Sequence, residues 1–240
     1  MMEQNNYFED LEEFLRSSNL SHQVLHIDTT QSENQIDEIG ASGLSSGKGK
    51  YTNLQNLTLS LEYKYIDAIG ASDLGSGLLK YTNLSNLTLN LSYNQIGDKG
   101  TSSLGFGIGN CSNLSYLELY LQGNQISAIG ASSLSSDLGK CTNLSNLTLF
   151  LCYNSIGDQG ALALGFGLVK FTNLSNLTLL LQGNQIHANG ASGLSSGIGK
   201  CTNLSNVTLN LEENSAFESQ QMKMKCLKSR KLVVADLAFQ

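Results

Sequence analysis

The sequence predicts an α/β solenoid of about seven repeats, each running strand, turn, short helix and return, with parallel strands lining a concave face. Three observations predict it. Leu54, Leu84, Leu114, Leu144, Leu174 and Leu204 recur every 30 residues, and each follows an asparagine. Gly40, Gly70, Gly100, Gly130, Gly160 and Gly190 keep the same spacing without an insertion or deletion. Asn34, Asn94, Asn124, Asn154, Asn184 and Asn214 form a third comb, broken only by Lys64.

The units are 21–50, 51–80, 81–110, 111–140, 141–170, 171–200 and 201–230, and Val234, Leu237 and Phe239 begin an eighth. The first fits through Val24, Ile27 and Ile36; the seventh keeps Leu204, Val207, Leu209 and Leu211, then turns basic. Within a unit, Leu57-Thr58-Leu59-Ser60-Leu61 alternates apolar and polar residues, as a strand with one buried face does. A Gly-Ala-Ser-x-Leu stretch follows, with Leu74 and Leu78 spaced for one helical face. Gly109, Gly139 and Gly199 stand where the helix should stop, and a left-handed glycine is expected there. Gly75, Gly77, Gly105 and Gly107 lie inside the helical segment, each costing up to about 1 kcal/mol relative to alanine, so short helices, partly 3₁₀, are expected.

One unit cannot bury its own apolar stripe, so stacked neighbours must complete the core. The asparagine comb fits that arrangement. At a strand-to-loop corner an Asn side chain can both donate to and accept from main-chain groups, and leaving such a buried group unpaired costs about 1–3 kcal/mol.

The string L-x-L-x-x-N-x-I-x-x-x-G-x-x-x-L-x-x-x-L can be read in Leu89, Leu91, Asn94, Ile96, Gly100, Leu104 and Ile108. It resembles the leucine-rich repeats of the ribonuclease-inhibitor-like type, found in ribonuclease inhibitor, Ran GTPase-activating protein and NOD-like receptors. The resemblance covers residues 21–215 and is most specific at 94–100 and 154–161. The Asn-, Ser- and Leu-rich style is also similar to repeat arrays of ciliates and other unicellular eukaryotes. It implies a curved, horseshoe-shaped leucine-rich-repeat solenoid that binds another protein without being an enzyme. Each unit is slightly longer than the family's usual one, through an added x-Leu: either the strand is longer, or its first leucine sits in the incoming loop. Units also alternate with a 60-residue period, between a Tyr-Asn type carrying Phe106 or Phe166 and a Gln-Gly-Asn type carrying Ser-Ser. This resembles the paired repeat types of ribonuclease inhibitor.

The organisation expected is an N-terminal capping helix over 1–20, the repeat array over 21–215, and a degenerate C-terminal repeat or cap over 216–240. Tyr7, Phe8, Leu11, Phe14 and Leu15 supply the cap's apolar face, and Lys223, Lys225, Lys228, Arg230 and Lys231 a basic final stretch. A formal charge of −6 argues against nucleic acid as the main ligand, and the 14% of charged residues limits long-range electrostatics. Cys111, Cys141 and Cys201 occupy the slot that Tyr51, Tyr81 and Phe171 fill elsewhere, which marks them as small buried hydrophobes. Five cysteines with no pairing scheme and no signal peptide point to a cytoplasmic location.

No catalytic constellation emerges. His22, His26 and His187 lie in different units, and no metal-ligand spacing or cofactor motif is present. Gly197-Ile198-Gly199-Lys200 superficially looks like a phosphate loop, but no Ser or Thr directly follows the lysine. The expected partner is another protein, with no nucleic acid, membrane or small-molecule substrate. Two alternatives stay open: a GTPase activator of the Ran type, and the sensing portion of a larger protein with a kinase or nucleotide-binding domain. Against the first, arginine occurs only at positions 16 and 230.

Outward strand positions follow from the period: Thr58, Ser60 and Glu62 and their equivalents, including Glu118, Gln122, Cys152 and Gln182. Most are small and polar. Tyr120, Phe150 and Leu180 share one slot in consecutive units and should form a contiguous apolar ridge, which Tyr93 and Tyr153 are expected to extend. The ridge reads either as an interface centre, flanked by Glu118, Gln122 and Gln182, or as mutual packing that stabilises the sheet.

Overall fold

The computed structural model describes residues 5–8, 24–29, 53–214 and 234–238. In chain order the elements are β1 (Asn5–Phe8), β2 (Val24–Asp28), β3 (Asn56–Ser60), α1 (Ala68–Leu78), β4 (Asn86–Asn90), α2 (Gly97–Gly109) and β5 (Tyr116–Tyr120). Then come α3 (Ala128–Leu138), β6 (Asn146–Phe150), α4 (Gly157–Leu168), β7 (Asn176–Leu180), α5 (Ala188–Ile198), β8 (Asn206–Asn210) and β9 (Val234–Ala238). The strands form one open parallel sheet in sequence order. Equivalent residues pair: Leu57 faces Leu87, which faces Leu117, Leu147 and Leu177 in turn. This is a leucine-rich-repeat solenoid, in which helices need more room than strands and so leave the sheet on the concave side.

Strands β2, β3, β4, β6 and β7 alternate half-buried and buried residues, as the apolar–polar alternation predicts, and β5 and β8 differ only in an exposed first residue. The buried ones join one continuous core running from Leu25 to Leu211. The first leucine of the repeat precedes the strand: Leu84 is buried in the incoming turn, its N–H donating to the Tyr81 carbonyl. The extra residues therefore lengthen the loop and not the strand.

The asparagine comb holds neighbouring coils together. Asn154 Nδ2 donates to the carbonyls of Leu121, Leu151 and Cys152, while its Oδ1 accepts from Asn124 N and Ile126 N. Asn94 and Asn184 repeat the pattern, and Lys64, which breaks the comb, is itself buried with its N–H on Asn94 Oδ1.

The 60-residue alternation has a structural cause on both edges of the coil. After each of β3 to β8 one residue takes a left-handed conformation: Tyr63, Tyr93, Gly123, Tyr153, Gly183 and Glu213. The rings of Tyr93 and Tyr153 lie where a side chain on Gly123 or Gly183 would have to go. At the helix starts, Asp98 and Asp158 reach forward into the next unit. Asp98 Oδ1 accepts from Ser127 N and Gly130 N and its Oδ2 from Ser127 Oγ, while Asp158 Oδ1 accepts from His187 N and Gly190 N. Each aspartate thus caps the N-terminus of its neighbour's helix, where orphan N–H groups and the positive end of the dipole favour a carboxylate. A Cβ on Gly130 or Gly190 would collide with that carboxylate.

Three expectations need correction. The helices are α-helices of 11 to 13 residues, not short 3₁₀ pieces, because their glycines sit at helix–helix contacts and let backbones approach. A Cβ on Gly107 would stand 2.2 Å from the Gly75 carbonyl oxygen, and one on Gly197 would stand 2.1 Å from that of Gly165. Gly139 and Gly199 are right-handed, and Gly109 is the last helical residue of α2. The chain leaves each helix through tight turns such as Lys140 N to Asp137 O and Cys141 N to Leu138 O, which need no left-handed residue. At the N-terminus Asn5–Phe8 is a strand paired with β2, so the helix expected over 1–20 does not cover those residues. A β-prone Tyr-Phe pair beside an open parallel edge satisfies that edge's backbone groups as a strand. Residues 9–20 and the basic stretch 223–231 lie outside the described residues.

Candidate protein-binding face

The water-facing side of the sheet is built by register. Asn90, Tyr120, Phe150, Leu180 and Asn210 are successive partners across β4 to β8. The strand spacing brings the Tyr120 and Phe150 rings into a parallel stack, with centroids 4.2 Å apart and planes 9° apart. Leu180 follows Phe150 in register, and all three side chains are half-buried.

Glu118 stands in a slot that is threonine at Thr58, Thr88, Thr148, Thr178 and Thr208. Its carboxylate accepts from Tyr120 Oη at 2.7 Å and from Tyr116 Oη at 3.1 Å. Burial, then the hydrogen bond and charge of Glu118, push the Tyr120 hydroxyl far above the usual phenol range. Tyr116 is raised in the same way. Both rings therefore stay neutral donors that fix the carboxylate.

Tyr116 escaped the sequence reading. Its slot holds Asn56, Asn86, Asn146, Asn176 and Asn206 in the other units, and among these Asn176 Nδ2 donates to Asn146 Oδ1 at 2.6 Å. Extending the outward alternation one step back from the threonine slot would have found this ladder and its single aromatic interruption. Beside Tyr116, a shallow open depression of about 300 Å³ lies over Asn56, Thr58, Asn86 and Thr88.

The polar candidates divide. Gln182 Nε2 donates to Glu212 Oε2, and its Oε1 faces the Cys152 thiol at 3.7 Å. Gln122 Oε1 is buried with no donor. Ser92, in the position equivalent to Cys152, turns its hydroxyl to Asn90 Oδ1 instead. Cys152 was expected to face outward, but neighbouring side chains bury it.

Tyr93 and Tyr153 occupy a separate row along the sheet's rim. Tyr93 stacks with Tyr63 at 4.6 Å on one side and leans over Gly123 on the other. Tyr153 leans over Gly183, and its Oη donates to Glu213 Oε1 at 3.3 Å, two units away. The aromatic surface is thus two rows, a half-buried one on the sheet and an exposed one at its edge. Exposed aromatics also occur on the helix side, at Phe106 and Phe166, with Lys140 Nζ 5.4 Å from the Phe106 ring.

Among the described residues no group of three or more His, Cys, Asp or Glu side chains comes together to hold a metal, and no helix is long and apolar enough to cross a membrane. The four described cysteines are free and buried.

Comparison with protein families agrees with the repeat architecture. A family model described as leucine-rich repeat matches residues 83–105 and 112–135. Among solved structures the chain is similar to internalin C2 from Listeria monocytogenes, with 20% identity over 99% of this chain and 78% of that one, at a TM-score of 0.49. It is also similar to actin-binding site 2 of leiomodin-1, with 14% identity over 64% of this chain and 86% of that one, at a TM-score of 0.49. No curated protein matches the chain. The matched repeats, their in-register parallel sheet and the asparagine comb make this chain a leucine-rich-repeat protein.

Proposed function

We propose that the chain is a non-enzymatic interaction scaffold whose concave sheet face binds another protein, in a reducing, cytoplasmic setting. The observation that carries this reading is the Tyr120–Phe150 stack, continued in register by Leu180, on the side of the sheet that faces water. Large rings placed there lose apolar contact with water only when something covers them, and aromatic clusters of this kind dominate binding energetics. The water-facing strand positions from β2 to β8 carry no lysine or arginine, which favours a protein over a polyanion. The free, buried cysteines suit a reducing compartment.

The test is a pull-down from soluble lysate, comparing the wild-type chain with a Tyr120→Ser, Phe150→Ser, Leu180→Ser variant shown by circular dichroism to be folded. A partner retained by the wild type and lost by the variant is the expected result. A partner held equally by both would remove this face from consideration.

A further inference from the structure

The charges of the array are sorted by surface. All six lysines of residues 53–214 lie off the strands, at Lys64, Lys80, Lys99, Lys140, Lys170 and Lys200, and that stretch has no arginine. The concave face holds Glu118 at its centre and Glu62 and Glu212 at the ends of their strands.

Glu118 differs from the other two. Glu62 accepts from Asn90 Nδ2, and Glu212 from Gln182 Nε2 and Asn210 Nδ2, so side-chain amides hold these two carboxylates, away from the Tyr120–Phe150 stack. Glu118 is instead clamped between two tyrosine hydroxyls. A carboxylate offers about four acceptor positions, so two tyrosine donors orient the group and leave acceptor capacity free. Beside Glu118, which its hydrogen bond joins to Tyr120, lie the stacked rings of Tyr120 and Phe150. An oriented carboxylate next to aromatic rings, with no lysine or arginine on the strands, complements a side chain with an apolar stem, a positive head and several donors.

Resting on the reading of this face as a protein-binding surface, we infer that its occupant is a protein segment carrying an arginine or lysine next to an apolar side chain. The apolar side chain lies on Phe150 and Leu180, and the stem of the basic residue on the Tyr120 ring. The cation binds the Glu118 carboxylate. The tyrosine clamp acts by holding the carboxylate in place before the segment arrives, which lowers the ordering cost of binding.

The test uses a random peptide library selected on the full chain and counter-selected on a folded Phe150→Ser variant. Enriched peptides are then titrated by fluorescence anisotropy against wild type, Glu118→Gln and Phe150→Ser. Glu118→Gln keeps an acceptor for the tyrosines and removes only the charge. The expected outcome is enrichment of Arg or Lys beside an apolar residue, with affinity lowered about tenfold or more by Glu118→Gln and falling as salt rises. Peptides that need Phe150 but show no basic preference and bind Glu118→Gln unchanged would overturn this inference while leaving the binding face intact. A library that yields no peptide distinguishing wild type from Phe150→Ser would overturn both.

Discussion

Single side chains do two kinds of work in this array. The comb asparagines were legible from the sequence because only one residue type recurs at their corner, and the structure shows why: each joins main-chain groups of adjacent coils. Asn154→Ala would strip partners from five buried groups. It is expected to lower unfolding free energy by about 3 kcal/mol or more. Urea titration measures this, with Gln159→Ala, an exposed change, expected to shift it little. The slot cysteines were legible for a similar reason, their equivalence to Tyr81 and Phe171. Burial pushes the thiols of Cys111 and Cys201 up to about 11 and that of Cys141 to about 12. The unfolded chain ionises these groups near ordinary thiol values while the folded chain keeps its protons, so folding holds more protons at high pH. Stability from this source is full below about pH 9 and falls as pH rises toward 11–12. Unfolding midpoints across that range should drop less steeply for a Cys111→Val, Cys141→Val, Cys201→Val variant than for wild type.

Strands were easier to read than helices. A period of two, repeated seven times, leaves little freedom in where a strand lies, whereas glycine-rich helix segments read locally as weak. Intrinsic propensity lost to packing: the glycines that weaken an isolated helix allow its backbone to touch the next one. Gly107→Ala, favourable by about 1 kcal/mol in an exposed helix, is therefore expected to destabilise this protein by about 2 kcal/mol. Its Cβ would meet the Gly75 carbonyl. Gly97 offers the contrast, with φ +57° and open space around it; Gly97→Ala should cost about 1–2 kcal/mol, through conformation alone. Helix capping across repeats was hidden for another reason. Asp98 protects a helix that begins a whole unit later in sequence, a partner that local patterns do not reveal. Asp98→Ala should cost about 1–2 kcal/mol and speed amide exchange at Gly130, with Asp98→Asn recovering part of the loss.

For the molecule as a whole, the strict 30-residue period made the solenoid, its strand order and its core readable before any coordinates. The ridge of Tyr120, Phe150 and Leu180 was readable because register in a parallel sheet follows directly from that period. Tyr93 and Tyr153 were misplaced into the ridge because a left-handed residue turns its side chain out of the strand's alternation, which spacing alone does not show. Chain ends were the least legible part, since β1 has no repeat to compare with. The proposed function rests on the same geometry, the stacked aromatics that the sheet displays on its water-facing side. A photo-crosslinking amino acid placed at position 150 on the concave face, and separately at position 166 on the exposed helix side, tests that in native lysate. A discrete crosslinked partner at 150, absent at 166 and competed away by unlabelled wild-type chain, is the expected result. Crosslinking at 166 alone, or equally at both, would contradict a concave binding face.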